Sequence, residues 1–107
     1  MSKTIRFHLV LAAVVLMTGA MGFAQSSGEA TYKAKCLMCH GAAGTPSPAM
    51  AKGMGVKPVT DPAVKSLTEA QMIASTSNGK GKMQPFKGKL TDPEIKGSVD
   101  YFRTFNK

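Results

Sequence analysis

The pentapeptide Cys36-Leu37-Met38-Cys39-His40 holds both cysteines of the 107-residue chain and one of its two histidines. Thiols separated by two residues could form a disulfide, a thiol redox pair, part of a metal site, or the anchor of a covalently held group. A disulfide here closes a loop too small to constrain much of the unfolded chain. A thioredoxin-like pair sits at a strand-to-helix junction in a βαβ pattern, and no alternating, strand-like run precedes Cys36. A zinc site needs about four ligands. Cys36, Cys39 and His40 would need a fourth, and the only other histidine, His8, lies in a separate N-terminal segment.

The reading that uses all three side chains is C-x-x-C-H, the attachment motif for c-type haem. Two thiols add to the two vinyl groups of the porphyrin, and the adjacent imidazole ligates the iron from one face. A helical turn suits the job, because it sets both sulfurs along one edge of the ring and the imidazole under its centre.

The rest of the composition points the same way. Met1–His8 carries Lys3 and Arg6 and no acid, Leu9–Met17 is unbroken apolar, and Thr18, Gly19, Ala20, Gly22 and Ala24 follow. That is the pattern of a secretory signal, with the cut expected after Ala24 and the domain over residues 25–107. The alternative, a retained membrane anchor, needs about 20 apolar residues, more than this run offers. Losing Lys3 and Arg6 with the segment takes the formal charge from +8 to +6. The remaining 83 residues hold only 21 apolar side chains larger than alanine, beside nine Gly and six Pro. So small a domain needs a staple, and a bound haem supplies a large apolar surface at its centre.

A haem iron with histidine below takes a sixth ligand or leaves a site open for small molecules. If the signal is cleaved, no second histidine remains, and methionine is the other soft neutral donor; a His/Met pair raises the reduction potential. The candidates are Met38, Met50, Met54, Met72 and Met83. Met38 lies inside the attachment loop and cannot reach round the ring. Met72 falls in a helical stretch, where packing is the natural role. Met50 and Met54 lie in an early loop and could line the haem edge. Met83 follows Gly79 and Gly81, which let backbone approach a flat ring closely, and Pro85 stiffens the exit. Met83 is the expected ligand.

The elements that must position these residues read as helices. Ser26 or Ser27 can cap a first helix, with Tyr32, Cys36 and Cys39 on one face and an end near Cys39. His40–Ser66 is rich in Gly and Pro and reads as loop with one short helical turn near Ala49–Lys52. Thr68-Glu69-Ala70-Gln71 is a capping box for a helix that Asn78-Gly79 ends. Lys80–Lys89 is loop. Thr91-Asp92-Pro93-Glu94 is a second capping box for the strongest helix, from about Asp92 to Asn106. No segment reads as a strand, so the domain is expected to be all-α.

On these residues the chain resembles the small class I cytochromes c, of the c6-like and c551/c553-like bacterial kind. The resemblance rests on Gly28-x3-Tyr32-x3-Cys36-x2-Cys39-His40, on Gly79-x3-Met83…Phe86 followed by Leu90-Thr91-Asp92-Pro93-Glu94-Ile95, and on Val99-Asp100-Tyr101-Phe102. It covers Gly28 to Phe105. One departure is Gln84, which separates Met83 from Pro85 where the family commonly joins Met to Pro directly. The resemblance implies three to four helices wrapped around one covalent haem. It also implies that the first and last helices cross near Gly28 and Tyr101, and that a loop proline carbonyl, from Pro46 or Pro48, orients His40.

The expected function is outer-sphere electron transfer by a soluble, monomeric periplasmic carrier that is not an enzyme. It would be loaded by the cytochrome c maturation machinery and would exchange electrons with membrane or soluble redox proteins. Lys80, Lys82, Lys87 and Lys89 flank Met83 with no acid between them and suit a partner with an acidic docking patch. The competing reading is a haem-based ligand-binding or sensor protein with a displaceable Met. The basic balance does not imply nucleic acid, because five scattered rings in residues 25–107 form no stacking pattern.

Overall fold

The structure is a computed structural model that describes residues 28–106. The expected signal segment, its cut after Ala24 and the caps at Ser26 or Ser27 lie outside the described residues. Helix α1 covers residues 28–35. It is followed, after a turn at Cys36, by α2 (Leu37–His40), α3 (Pro48–Met54), α4 (Pro62–Lys65), α5 (Glu69–Asn78) and α6 (Asp92–Thr104). The all-α expectation stands, but the described residues form six helices rather than three to four, because two one-turn helices, α2 and α4, are set by local turn and cap geometry. Among the described residues the only β pairing is two isolated bridges, Lys80 with Met83 and Lys87 with Leu90.

The capping chemistry explains most boundaries. Thr68 accepts from the Gln71 amide while the Gln71 side chain accepts from the Thr68 amide, and Thr91 and Glu94 do the same for α6. Helix α6 ends at Thr104, two residues before the expected Asn106. The segment expected to be mostly loop holds two short helices. Ser47 caps α3 through the Met50 amide, Asp61 caps α4 through the Ala63 amide, and Pro48 and Pro62 open them. Proline in the first turn has the right φ and lacks an amide proton that would have no partner there. The expected turn at Ala49–Lys52 is the middle of α3. The first helix breaks at Cys36 rather than running unbroken to Cys39, so the attachment motif occupies its own turn.

Two contacts set the architecture. A Cβ on Gly28 would land on the Gly97 carbonyl, 3.1 Å from the Gly97 Cα, so the α1 backbone lies directly on α6. The crossing is therefore centred on Gly28 and Gly97. Tyr101, which the resemblance placed at the crossing, packs beside it, with its ring 5.3 Å from that of Tyr32 and its hydroxyl 3.5 Å from Glu29. Across the other face, Glu69 of α5 lies 3.7 Å from both Lys96 and Arg103 of α6. The buried apolar side chains among the described residues are Tyr32, Val59, Met72, Phe86, Ile95 and Val99. Six such side chains make a thin core for a domain of this size.

Candidate functional site

Helix α1 meets α6 at glycine, and this close approach carries Tyr32 and Cys36 onto the α6 face that bears Ser98, Val99 and Phe102. One helical turn then presents the motif: the His40 and Cys39 amides both donate to the Cys36 carbonyl, at 2.9 and 3.2 Å, and the Gly41 amide to Leu37 at 2.8 Å. Gly41 ends the turn with φ of 82°, and a side chain there would run into the Thr45 backbone. The Tyr32 hydroxyl donates to the Gly41 carbonyl at 2.6 Å. Tyr32 thereby ties the end of the motif back to the core, a role with no separate signal in the sequence.

Cys36, Cys39 and His40 open onto a cavity of about 640 Å³, within the size range of cofactor pockets. Its walls come from every part of the fold: Leu67, Met72 and Thr76 from the α5 region, Val99 and Phe102 from α6, and Met83 and Phe86 from the loop between those helices. Met54 and Met72 also line it, whereas Met50 and Met38 do not; Met38 is 82% exposed. Of the five sequence candidates for a distal ligand, three therefore reach the cavity, and Met72 is a buried core side chain.

The loop that brings Met83 is shaped by glycine. Lys80 and Met83 exchange backbone hydrogen bonds at 3.1 and 3.0 Å around Gly81, whose φ is 59°. Gly79 has φ of 78°, and a Cβ there would meet the Met83 carbonyl at 2.8 Å. The Phe86 and Lys87 amides then donate to the Thr76 and Ser77 carbonyls in the last turn of α5.

The electrostatics fit a covalently anchored haem better than thiol redox chemistry. Burial pushes the Cys36 thiol up to about 11, despite a hydrogen bond with Ser98 that acts the other way. Reactive thiols are shifted down by cationic surroundings or helix N-termini; Cys36 is the N-cap of α2, but its side chain makes no capping hydrogen bond there. Both cysteines are unpaired and half-buried. Burial lowers the His40 pKa and favours the neutral imidazole that an iron ligand requires. Phe102 packs edge-on against the His40 ring at 5.4 Å. The proline carbonyl implied by the resemblance is not found: the buried Nδ1 of His40 has no hydrogen-bond partner. Pro48 is the first residue of α3, so its carbonyl belongs to that helix, and the Pro46 carbonyl does not reach Nδ1 either. Among the described residues no group of three or more His, Cys, Asp and Glu forms a separate metal cluster.

The rim of the cavity differs in part from the expected one. Lys80 and Lys82 line it, and so do Lys35 and Lys57, while Lys87 and Lys89 do not. No Asp or Glu lines it. Lys35 and Lys57 were not among the expected rim lysines: Lys35 reaches it as the neighbour of Cys36, and Lys57, far from Met83 along the chain, is brought there by the fold.

Residues 23–102 match the family model described as cytochrome C oxidase, cbb3-type, subunit III. The chain is similar to cytochrome c-555 of Chlorobaculum tepidum, with 32% identity over 108 residues and 94% of each chain covered. Among solved structures it is similar to the KustC0563 c-type cytochrome, with a TM-score of 0.67 and 32% identity over 75% of this chain and 98% of that one. These likenesses and the cavity behind the attachment motif agree: the chain belongs to the c-type cytochromes, and its cofactor is covalently bound haem c.

Proposed function

We propose that the chain is a soluble periplasmic electron carrier in which Cys36 and Cys39 form the two thioethers, His40 is the proximal ligand and Met83 the distal one. The observation that carries this reading is the single cavity onto which both thiols, the His40 ring and the Met83 loop open. When bound, the haem supplies an iron that cycles between ferric and ferrous states with little rearrangement. The chain supplies the rest. His40, held neutral by burial, offers a ring nitrogen, and Phe102 fixes the plane of that ring. Leu67, Val99 and Phe102 give the cavity an apolar lining that would exclude water from around a bound haem, which holds the potential up. The thioether sulfur of Met83 favours the ferrous form and raises the potential further.

Lys35, Lys57, Lys80 and Lys82 make the mouth of the cavity positive with no acid among them. The ion pairs among the described residues lie elsewhere, as in Glu29 with Lys33 and Asp100 with Lys96. This asymmetry gives an encounter with an acidic partner a preferred orientation, with the cavity mouth foremost. The positively charged start and apolar run of Met1–Ala24 support export.

Two measurements test the reading. After acid denaturation the protein should keep a mass one haem above the polypeptide, and Met83→Ala should lose the weak far-red absorption of a ferric Met–iron bond and lower the potential. A bare polypeptide mass from cells that mature c-type cytochromes would overturn the attachment. Loss of the far-red band in Met54→Ala but not in Met83→Ala would overturn the ligand.

A further inference from the structure

Lys82 stands out from the other lysines of the Met83 loop. Its Nζ donates to the Gly53 carbonyl at 2.8 Å, a bond between residues 29 apart in the chain. Gly53 lies in the last turn of α3, where carbonyls lack intrahelical partners and the helix dipole favours a cation. The residues just beyond it, Met54 to Lys57, line the cavity, as do Lys80 to Gln84. The bond therefore joins two segments of the cavity rim.

Little else restrains the loop at that point. The paired bonds between Lys80 and Met83 are internal to it. Lys89 reaches the Gln84 side chain at 2.8 Å, but Lys89 belongs to the same connection between α5 and α6. The bonds from Phe86 and Lys87 to α5 act only at its exit. Gly79 and Gly81 leave the entry pliable, and a Cβ at Gly81 would meet nothing within 4 Å. Among the described residues, the Lys82–Gly53 bond is the hydrogen bond that ties residues 80–84 to a different part of the fold.

We propose that Lys82 is a positioning residue for Met83: its bond to Gly53 straps the glycine-bracketed loop to the end of α3 and slows the departure of the Met83 sulfur from the iron. The proposal rests on Met83 being the distal ligand. It gives the loop lysines different tasks. Lys80 presents charge at the mouth, while Lys82 sets how readily an outside molecule displaces the methionine.

The test uses the ferric holoprotein with imidazole as the probe and no redox partner. At saturating imidazole the rate of loss of the far-red Met–iron band is limited by Met83 leaving. Lys82→Ala should raise that limiting rate about three- to fivefold, the effect of losing one exposed charge-assisted hydrogen bond. Lys82→Arg, which keeps a donor, should stay close to wild type, and so should Lys87→Ala, which removes a nearby charge without touching Gly53. A wild-type rate in Lys82→Ala, or an equal acceleration in Lys82→Arg or Lys87→Ala, overturns the strap. Met83→Ala separates the two ideas: if it retains the far-red band, the ligand assignment fails; if it loses the band while Lys82→Ala behaves as wild type, only the strap fails. A partner-docking role for Lys82 would leave the limiting rate unmoved, because no partner is present.

Discussion

Replacing Gly28 by alanine probes the contact that places the attachment motif against α6. The added Cβ would fall on the Gly97 carbonyl, 2.7 Å from its carbon and 3.1 Å from the Gly97 Cα. Ordinary carbon–carbon contact begins near 3.5 Å, so the helices must part by roughly 1 Å. Both obstacles are backbone atoms and no side chain can rotate away. Overpacking of this kind costs about 1–3 kcal/mol, and alanine returns about 0.5–1 kcal/mol as the better helix former. The net loss spans roughly 0–2.5 kcal/mol and falls in its upper part because the obstructing backbone cannot yield, which at about 4–8 °C per kcal/mol for a domain this small is readily measured. Gly53 provides the matched control. It too is helical, and a Cβ there meets nothing within 4 Å, so Gly53→Ala should gain about 0.5 kcal/mol or more. Thermal and guanidinium unfolding of the ferric holoprotein, followed by far-ultraviolet dichroism and by Soret absorbance, reads both variants. If Gly28→Ala is as stable as wild type, or shifts the same way as Gly53→Ala, the helices do not meet at that carbonyl and the reasoning fails.

Tyr32→Phe removes the hydroxyl that bonds Gly41 and should cost about 1 kcal/mol in the same unfolding assay. Burial raises the Tyr32 pKa, so the folded state holds this proton more tightly than the unfolded chain does. Its contribution is full below the ordinary tyrosine value near 10 and is lost as pH rises beyond it; the stability difference between wild type and Tyr32→Phe should therefore shrink in alkali, and a constant difference to pH 12 would count against it. Cys36→Ala with Cys39→Ala should yield a protein without covalent haem and without a cooperative unfolding transition; a cooperative transition in that protein would mean the polypeptide core suffices alone. With an acidic redox partner, the bimolecular electron-transfer rate should fall as salt rises, and less steeply for Lys57→Glu with Lys80→Glu; equal slopes would remove the docking role of the rim.

How much of this was legible in the sequence depended on how local each signal is. The caps at Thr68 and Thr91 read correctly because a capping box is complete within four residues. The attachment motif is complete within five. The short helices α3 and α4 were harder to read, since neither has room for a hydrophobic period and each is set by a single cap with a following proline. Gly97 was a readable signal: an isolated glycine inside a strong helix costs about 1 kcal/mol and so implies a packing reason, here the α1 backbone. The rim could not be read locally. Lys80 and Lys82 lie within three residues of Met83 and were found, but Lys57 reaches the mouth only through the fold, Lys35 comes with its neighbour Cys36, and Lys87 and Lys89, farther along the chain from Met83, do not line it. The His40 orientation implied by resemblance failed for a similar reason, because α3 claims Pro48 as its first residue.

The thin core and the wide cavity describe one physical fact. Protein interiors are close-packed; here Tyr32, Tyr101 and Phe105 pack on one another, while other apolar side chains are arranged around a space. Leu67 and Phe102, which the chain itself leaves half-buried, face about 640 Å³ together with the buried Met72 and Val99, and in a c-type cytochrome the haem takes that space. The cofactor is then part of the core, and covalent attachment acquires a structural rationale beyond chemistry. A chain that cannot hold its shape without the group is stabilised by every bond that keeps the group from leaving. Two thioethers make that hold permanent, so the non-covalent contacts are released from the task of retention. If Met83 is the distal ligand proposed above, Gly79, Gly81 and the Lys82–Gly53 bond are then enough at its loop: the proposed strap would be firm enough to present the sulfur, and slight enough for one side chain to set how the loop opens.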